Sequence, residues 1–357
     1  MTSGTGERHE ETGEETGEET SATAREGTIW IRPGLTLPGR LDTALFDIDG
    51  VLIDTRRSYR LAVMHGSEGL VRATGLEPPA PMVSQDDVAA FKLAGGFNSD
   101  WDGTQLFAAL WTARLREWRD QPEAQATTAE WAARAAEAAR AGRGGVEWVR
   151  ATFPATAIPS DEAARWAHDE FYWGAALVRE LFGHEPLYAP EATGFVHNEE
   201  MLLDVELLPA LAALGITRLG LITGRLGPEV DFAVRMLAQT LGPEDAASQP
   251  WHDGAYGRSP FASVIPATVY AKPDPRALWA ALDELNAKEA IYVGDTADDL
   301  DVVLRYRREL QAHDPALPLV LAVMVARGDT AGVYQRRGAD IVLSRVTDLP
   351  AALRRLS

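Results

Sequence analysis

Two aspartates, Asp47 and Asp49, stand one residue apart at the end of the short apolar run that begins at Thr43. Side chains alternate along an extended chain, so this spacing places both carboxylates on one side of a strand end. Gly50 follows them and can adopt a turn that other residues resist. Two carboxylates held this close need a cation or a raised pKa to offset their repulsion, and either outcome is useful in catalysis. An isolated Asp-x-Asp is more often a solvated strand end, so its interpretation depends on the other motifs.

Three more polar segments follow apolar runs further along the chain. They are Ile222-Thr223-Gly224-Arg225, Lys272-Pro273-Asp274-Pro275 and Gly294-Asp295-Thr296-Ala297-Asp298-Asp299. Asp295 and Asp299 are four residues apart, and a cluster of such carboxylates suits a hard ion with oxygen ligands, such as Mg²⁺. Because ligands of open parallel sheets bind at the carboxyl ends of the strands, these positions are candidates for one shared site.

In this order the four segments resemble the four signatures of the haloacid dehalogenase (HAD) superfamily of aspartyl-phosphate enzymes. Each signature is weak alone, but four in the right order at predicted strand ends are highly specific. The resemblance covers most of the chain from Thr43 onward, although the helical insertion is longer than the usual cap. It implies a Mg²⁺-dependent phosphatase that hydrolyses a small phosphorylated metabolite.

The resemblance also implies catalytic roles for individual residues. Asp47 would attack the phosphorus atom and form an aspartyl phosphate, which splits hydrolysis into two easier steps. Asp49 would protonate the leaving alkoxide and then deprotonate the attacking water. Thr223 and the backbone N–H of Gly224 would bind phosphate oxygens. Lys272 would neutralise phosphate charge and keep the nucleophile oriented.

The same resemblance implies a metal site. A Mg²⁺ ion would bridge Asp47, the backbone carbonyl of Asp49, Asp295 and the phosphate. Asp295 is the firm ligand of the family pattern. The next acid of that pattern usually falls at the position of Asp299, but Asp298 is adjacent, and the sequence leaves the choice between them open.

Other activities within the superfamily are weighed against the phosphatase. Simple dehalogenases lack an equivalent of Asp49, because halide leaves without a proton. P-type ion pumps need membrane helices, which the sequence does not indicate. A phosphomutase uses the same two aspartates and stays an alternative, as does a non-catalytic HAD-fold protein that binds a phosphorylated metabolite.

The elements that must position these motifs alternate between strands and helices, which predicts a doubly wound α/β fold with a parallel sheet. Further predicted strands are 219–222, 267–270, 290–293, 319–325 and 341–343. Predicted helices include 228–241, 275–285 and 349–356.

Between about Thr55 and Asn198 helical periodicity replaces the strand pattern, with Ser84, Thr128 and Ser160 as expected helix caps. We therefore predict a Rossmann-like core with an inserted, all-helical cap domain. The expected boundaries are a disordered acidic tail at 1–27, the core at 28–57 and 199–357, and the cap at 58–198. Seven of the ten tryptophans fall in the cap, and most of them are expected in its core.

Substrate recognition is assigned to a loop that begins at Lys92 and ends at Trp101, with Lys92, Asn98 and Trp101 as candidate contacts. A plain interhelical turn is the alternative interpretation. This loop, together with Asn198-Glu199, resembles a HAD subgroup associated with histidinol-phosphate aminotransferases. Histidinol phosphate, sugar phosphates and phosphoglycolate all stay open as substrates.

The composition of the chain argues against several classes of partner and indicates a location. The net charge of −19 disfavours nucleic acids and anionic lipids, and the longest apolar run, near 317–326, is too short to span a bilayer. The absence of cysteine suits a reducing compartment. The acidic N-terminal segment does not resemble a secretion signal, so a cytoplasmic location is expected. The sequence gives no indication of the oligomeric state.

Overall fold

The computed structural model describes residue 1 and residues 28–37, 39–95, 97, 99–241 and 259–356. The predicted disordered tail therefore lies, apart from residue 1, outside the described residues. Strands are β1 (Ile29–Ile31), β2 (Thr43–Phe46), β3 (Ile53–Asp54), β4 (Glu200–Met201), β5 (Arg218–Thr223), β6 (Ser263–Pro266), β7 (Glu289–Gly294), β8 (Leu319–Val325) and β9 (Ile341–Leu343).

Helices surround the sheet and also fill the chain between β3 and β4. The first seven are α1 (Tyr59–Ala73), α2 (Gln85–Ala94), α3 (Asp100–Leu115), α4 (Thr128–Arg140), α5 (Gly145–Thr152), α6 (Asp161–Trp173) and α7 (Ala175–Phe182). The others are α8 (Leu207–Ala213), α9 (Gly227–Leu241), α10 (Pro275–Glu284), α11 (Ala297–Arg305), α12 (Asp329–Arg337) and α13 (Leu349–Arg354). None of the described helices combines the length and apolar composition needed to cross a membrane.

Seven strands form one sheet in the order β1-β9-β8-β7-β2-β5-β6. All neighbouring pairs are parallel except β1 and β9, which are antiparallel. The remaining strands, β3 and β4, pair with each other antiparallel where the chain leaves the sheet for α1 and where it returns. The predicted fold class, a largely parallel sheet flanked by helices, is confirmed.

The central strands are apolar because both faces of the sheet are covered. Phe46 and Val293 belong to the hydrophobic cluster on one face, whereas Leu45 and Tyr292 belong to the cluster on the other. Successive residues of a strand thus bury their side chains on opposite sides. Each fully buried Leu or Val contributes roughly 1.5–3 kcal/mol relative to an exposed one, so these positions fix the register of the strand ends.

The helices between β3 and β4 have a hydrophobic core of their own. Trp118 and Trp131 stack in it with ring centroids 5.4 Å apart. The described residues between 55 and 198 contain no strand, as expected of the insertion. Ser84 and Ser160 are N-caps, as predicted, but the cap of α4 is Thr127 rather than Thr128. The predicted domain boundaries stay a prediction.

Two features of the sheet differ from the prediction. Residues 267–270 form a turn, and the strand lies at Ser263–Pro266 instead. Pro266 has no N–H to continue the ladder, and its carbonyl accepts a hydrogen bond of 3.0 Å from the N–H of Val269, which closes the turn. The antiparallel edge strand Ile29–Ile31 was not predicted. Arg32, Pro33 and Gly34 follow it directly, a sequence typical of a turn rather than of a strand.

Candidate active site

The candidate catalytic residues lie at the carboxyl edge of the parallel sheet. β2 is flanked by β5 and β7, so the residues that follow these three strands are neighbours in space. Asp47 follows β2, Thr223 ends β5, and Asp295 follows β7. The backbone N–H of Asp47 still donates to the carbonyl of Val293, at 2.8 Å, which fixes the backbone from which its carboxylate projects.

Lys272 joins the nucleophile candidate to the acidic motif after β7. Its Nζ lies 2.8 Å from Oδ1 of Asp47 and 2.8 Å from Oδ1 of Asp299. All three side chains are buried, with 10%, 4% and 0% of their surface exposed. One cation between two carboxylates leaves this group with net negative charge, and the surrounding apolar sheet makes that charge costly.

The buried charges shift the pKa values of these groups in different directions. Burial raises the pKa of Asp47 to about 7, since Lys272 offsets only part of the cost and the charge of Asp299 adds to it. Burial and the neighbouring charges of Asp299 and Asp47 raise the pKa of Asp295 well above its usual range. The pKa of Asp299 lies below its usual value. Burial alone would raise it, but the charge of Lys272 and the hydrogen bonds to the carboxylate outweigh the effect of burial.

Both oxygens of Asp299 are occupied by donors. Oδ1 accepts 2.8 Å and 2.6 Å hydrogen bonds from Lys272 and from the hydroxyl of Tyr292. Oδ2 accepts from the N–H and hydroxyl of Thr296, at 2.9 and 2.6 Å, in the capping box of α11, and from the N–H of Asp295, at 3.2 Å. The carboxylate is therefore held as an acceptor of five hydrogen bonds, and it fixes the position of the lysine.

A cluster of three carboxylates has the chemistry of a divalent-cation site. Oxygen atoms of Asp47, Asp295 and Asp299 lie within 4.8 Å of one another. Oδ1 of Asp295 is buried and has no hydrogen-bond partner, which is costly for an ionised oxygen unless a cation binds it. Gly50, at φ +73°, leaves room for that side chain, because a Cβ there would lie 2.1 Å from Oδ2 of Asp295. These residues fit Mg²⁺, which prefers carboxylate oxygens.

Asp49 is bound by an arginine that follows the second motif. Oδ1 of Asp49 accepts a 2.9 Å hydrogen bond from Nε of Arg225, and the second guanidinium contact is 2.8 Å. Thr223 is buried, and its hydroxyl oxygen accepts a 3.1 Å hydrogen bond from the N–H of Arg225. Gly224, between them, is exposed, and nothing lies within 4 Å of its missing Cβ. The segment therefore has an open side at Gly224 and a buried side at Arg225.

The predicted substrate-binding residues of the helical region have partners within that region. Nζ of Lys92 lies 2.8 Å from Oδ1 of Asp100. Trp101 donates a 2.8 Å hydrogen bond from its indole N–H to Asp169. Asn98 lies outside the described residues. The described contacts of Lys92 and Trp101 therefore do not join them to Asp47.

Several residues of the site were not predicted from the sequence. Arg225 lies within a predicted motif, but no partner for its charge could be predicted from the sequence. Glu199 and Tyr292 were not predicted as site residues either. Glu199 accepts a hydrogen bond from Arg225, and Tyr292 donates one to the predicted residue Asp299. A buried position directly before a carboxylate motif was the only available signal for Tyr292.

Residues 41–303 match the haloacid dehalogenase-like hydrolase family. Among solved structures, phosphatase Tt82 from Thermococcus thioreducens is 24% identical, with a TM-score of 0.52, over 80% of this chain and 92% of that chain. An X-ray structure of a structural-genomics target is 16% identical, with a TM-score of 0.53, over 88% of this chain and 99% of that one. These two likenesses show a shared fold alone. No curated protein matches the chain.

Proposed function

Because the chain belongs to the haloacid dehalogenase-like hydrolase family, we propose that it is a Mg²⁺-dependent phosphatase of small phosphomonoesters. The observation that carries the proposal is the ion pair of 2.8 Å between Lys272 and Asp47 at the carboxyl edge of the sheet. The first carboxylate can serve as the nucleophile, and the buried ammonium beside it as the cation that binds the phosphate. The second carboxylate, two residues away, can carry the proton.

In the first step Asp47 attacks the phosphorus atom of the ester. The new bond joins a carboxylate oxygen to phosphorus, and the bond from phosphorus to the ester oxygen breaks. Asp49 gives its proton to that leaving oxygen, so an alcohol departs and an aspartyl phosphate is left. Proton donation is needed because an alkoxide is a strong base and a poor leaving group.

In the second step Asp49 takes a proton from water as the water oxygen attacks the phosphorus atom. The acyl phosphate bond breaks, inorganic phosphate leaves, and Asp47 returns as a carboxylate. One side chain thus serves as acid and then as base, which requires a carboxyl that both releases and accepts a proton during each turnover.

The reaction also requires that the negative charge on the transferring phosphoryl group be stabilised. Lys272 supplies a buried positive charge, and the hydroxyl of Thr223 and the N–H of Gly224 supply hydrogen-bond donors at the next strand end. Mg²⁺, when bound, would supply further positive charge to the phosphoryl group. Asp47, Asp295 and the backbone carbonyl of Asp49 would hold it.

We assign Asp299 a different role from that of a metal ligand. Its five hydrogen bonds leave no free oxygen, and two of them come from Lys272 and Tyr292. Its function is to orient Lys272 toward Asp47. Direct coordination by Asp299 would require the loss of at least one of these bonds.

The substrate is a small phosphorylated metabolite held under the helical insertion. Lys92, Asn98 and Trp101 stay candidates for contact with its leaving group. A histidinol-phosphate-like substrate rests only on the resemblance of the 92–101 loop and Asn198-Glu199 to one subgroup. Sugar phosphates and phosphoglycolate belong in the same screen.

The test is phosphate release from a panel of phosphomonoesters with Mg²⁺ and, in parallel, with EDTA. The proposal expects Mg²⁺-dependent release and its loss in Asp47→Asn. Asp301→Asn is the matched control, because Asp301 lies in α11 but pairs with Arg337. A folded protein that binds Mg²⁺ and releases no phosphate would shift the assignment to a phosphomutase or a binding protein.

A further inference from the structure

Arg225 is an arginine with no exposed side-chain surface, and it contacts two carboxylates. One is Asp49, at 2.8 and 2.9 Å. The other is Glu199, whose Oε2 accepts a hydrogen bond of 2.8 Å from the terminal nitrogen of Arg225. The guanidinium also lies 5.6 Å from the ring centre of Tyr59. A buried cation with this many fixed partners holds a single orientation.

Glu199 connects this arginine to the two chain segments that lead into and out of the helical insertion. Its own position is in the returning segment, directly before β4. Its Oε1 accepts 3.0 Å hydrogen bonds from the hydroxyl of Ser58, in the outgoing segment, and from the hydroxyl of Tyr172 in α6. One buried carboxylate therefore ties both connecting segments and one inserted helix to Arg225.

We propose that Arg225 is a positioning residue for Asp49, and that Glu199 sets the orientation of Arg225 according to the arrangement of the two connecting segments. The inference rests on the proposed function, in which Asp49 carries the proton. Asp49 is half-exposed, with 29% of its side-chain surface open. Without the guanidinium it has several rotamers to choose from, and only one can aim at the leaving oxygen.

If Arg225 aligns Asp49 as the general acid, its loss should affect substrates that need a proton more than substrates that do not. A purely structural role of Arg225 would not produce this difference. An alkyl phosphate needs a proton on its leaving oxygen, whereas p-nitrophenyl phosphate releases a weakly basic phenolate that does not. Misalignment of Asp49 should therefore slow the alkyl ester much more than the aryl ester. The effect belongs in kcat/KM, which reports the steps up to formation of the aspartyl phosphate.

The first variant is Arg225→Lys, which keeps the charge but loses the forked, two-point contact. We expect kcat/KM for an alkyl phosphate to fall on the order of 100-fold, the lower end of what general acid catalysis contributes. For p-nitrophenyl phosphate we expect less than about 5-fold, since proton donation is not needed there. Equal losses for both esters in a folded variant would overturn the proposal.

The second variant is the double change Arg225→Gln with Glu199→Gln, which removes the buried arginine together with its fully buried carboxylate partner. Asp49, which also loses the arginine, is half-exposed. It should fold and show the same difference between the two esters. The matched control is Arg307→Gln with Asp340→Asn, which removes an ion pair between a half-buried arginine and a buried aspartate, away from Asp49. This control should affect both esters alike.

The outcomes separate the two proposals. A wild-type protein that hydrolyses neither ester contradicts the proposed function. A wild-type protein that hydrolyses both, with variants that lose both equally, contradicts only the role of Arg225. Loss of the fold in both Arg225 variants would also contradict it, because the network would then be needed for folding itself.

Discussion

The hydroxyl of Tyr292 donates a 2.6 Å hydrogen bond to Oδ1 of Asp299, the same oxygen that lies 2.8 Å from Nζ of Lys272. Tyr292 is fully buried in the central strand β7. The sheet therefore supports the lysine through one carboxylate, and the position of Lys272 relative to Asp47 depends on a phenol that donates its hydrogen bond to Asp299.

Tyr292→Phe should reduce activity without a comparable loss of stability. Removal of one of the five hydrogen bonds to the Asp299 carboxylate costs about 1 kcal/mol of unfolding free energy. We expect kcat to fall roughly 10-fold, since the lysine loses part of its support. Steady-state kinetics and chemical denaturation provide the two measurements.

Tyr306→Phe is the matched control, because its hydroxyl donates to the carbonyl of Pro318, at 3.0 Å, away from the acidic cluster. It should cost a similar amount of stability and leave kcat unchanged. Equal kcat for Tyr292→Phe and the wild type would show that Asp299 needs no support from the sheet.

Asp295→Asn should stabilise the protein when no metal is present. Burial and the charges of Asp299 and Asp47 raise the pKa of Asp295 well above its usual range, so its ionised form weakens the folded state at neutral pH. Asparagine cannot ionise, and we expect a gain of roughly 1 kcal/mol or more in EDTA at pH 7.5.

With saturating Mg²⁺ the wild type should become more stable than Asp295→Asn. Binding at about 100 times Kd stabilises the wild type by about 2.7 kcal/mol, and Asp295→Asn should lose that response. Thermal unfolding with EDTA and with Mg²⁺ gives all four values. A Mg²⁺ response that survives in the variant would place the ion elsewhere.

Glu229 should make stability fall as the pH rises toward and through neutrality. Burial raises the pKa of its carboxyl to about 7 from a usual value of 4.5. Between these values the folded state binds more proton than the unfolded state, so stability from this group is complete below the lower value and is lost up to the higher one. The slope is at most about 1.4 kcal/mol per pH unit.

The measurement is the unfolding free energy of the wild type minus that of Glu229→Gln from pH 4.5 to 8. This difference should decrease with pH across that window. Glu180→Gln, an exposed substitution in α7, is the matched control. A flat line for Glu229→Gln would contradict the raised pKa.

Gly50→Ala should disrupt the metal site, whereas Gly34→Ala should not. Both glycines have positive φ, +73° and +76°, so alanine strains each backbone by about 1–2 kcal/mol. Only at Gly50 would the new Cβ lie 2.1 Å from Oδ2 of Asp295, since nothing lies within 4 Å at Gly34. We expect loss of the Mg²⁺ response and about a 100-fold loss of activity for Gly50→Ala alone. Similar kinetics for the two variants would count against this explanation.

The strand ends of the candidate site could be predicted because apolar runs and polar motifs coincide there. Asp47, Thr223 and Asp295 each follow or end a buried strand, and strands of a parallel sheet bring such positions together. The contact between Arg225 and Glu199 could not be predicted in this way. It joins residues 26 positions apart and depends on how the insertion returns to the sheet.

The limits of the fold prediction have similar causes. The strand at Ser263–Pro266 was missed because the adjacent run at 267–270, with its β-branched residues, has the stronger strand propensity in the sequence. The side chains of Lys92 and Trp101 look suited to a ligand, but their recorded partners are Asp100 and Asp169. Polar residues near a glycine-rich loop satisfy one another as readily as they bind a substrate.

The antiparallel strand Ile29–Ile31 covers the outer edge of β9. An uncovered edge presents unpaired N–H and C=O groups that template pairing with another chain. A protein that starts at residue 28 keeps strand Ile29–Ile31. A protein that starts at residue 32 lacks this strand, so Ile341–Leu343 becomes an apolar edge of the sheet. The shorter protein would be prone to aggregation although no catalytic residue had been removed.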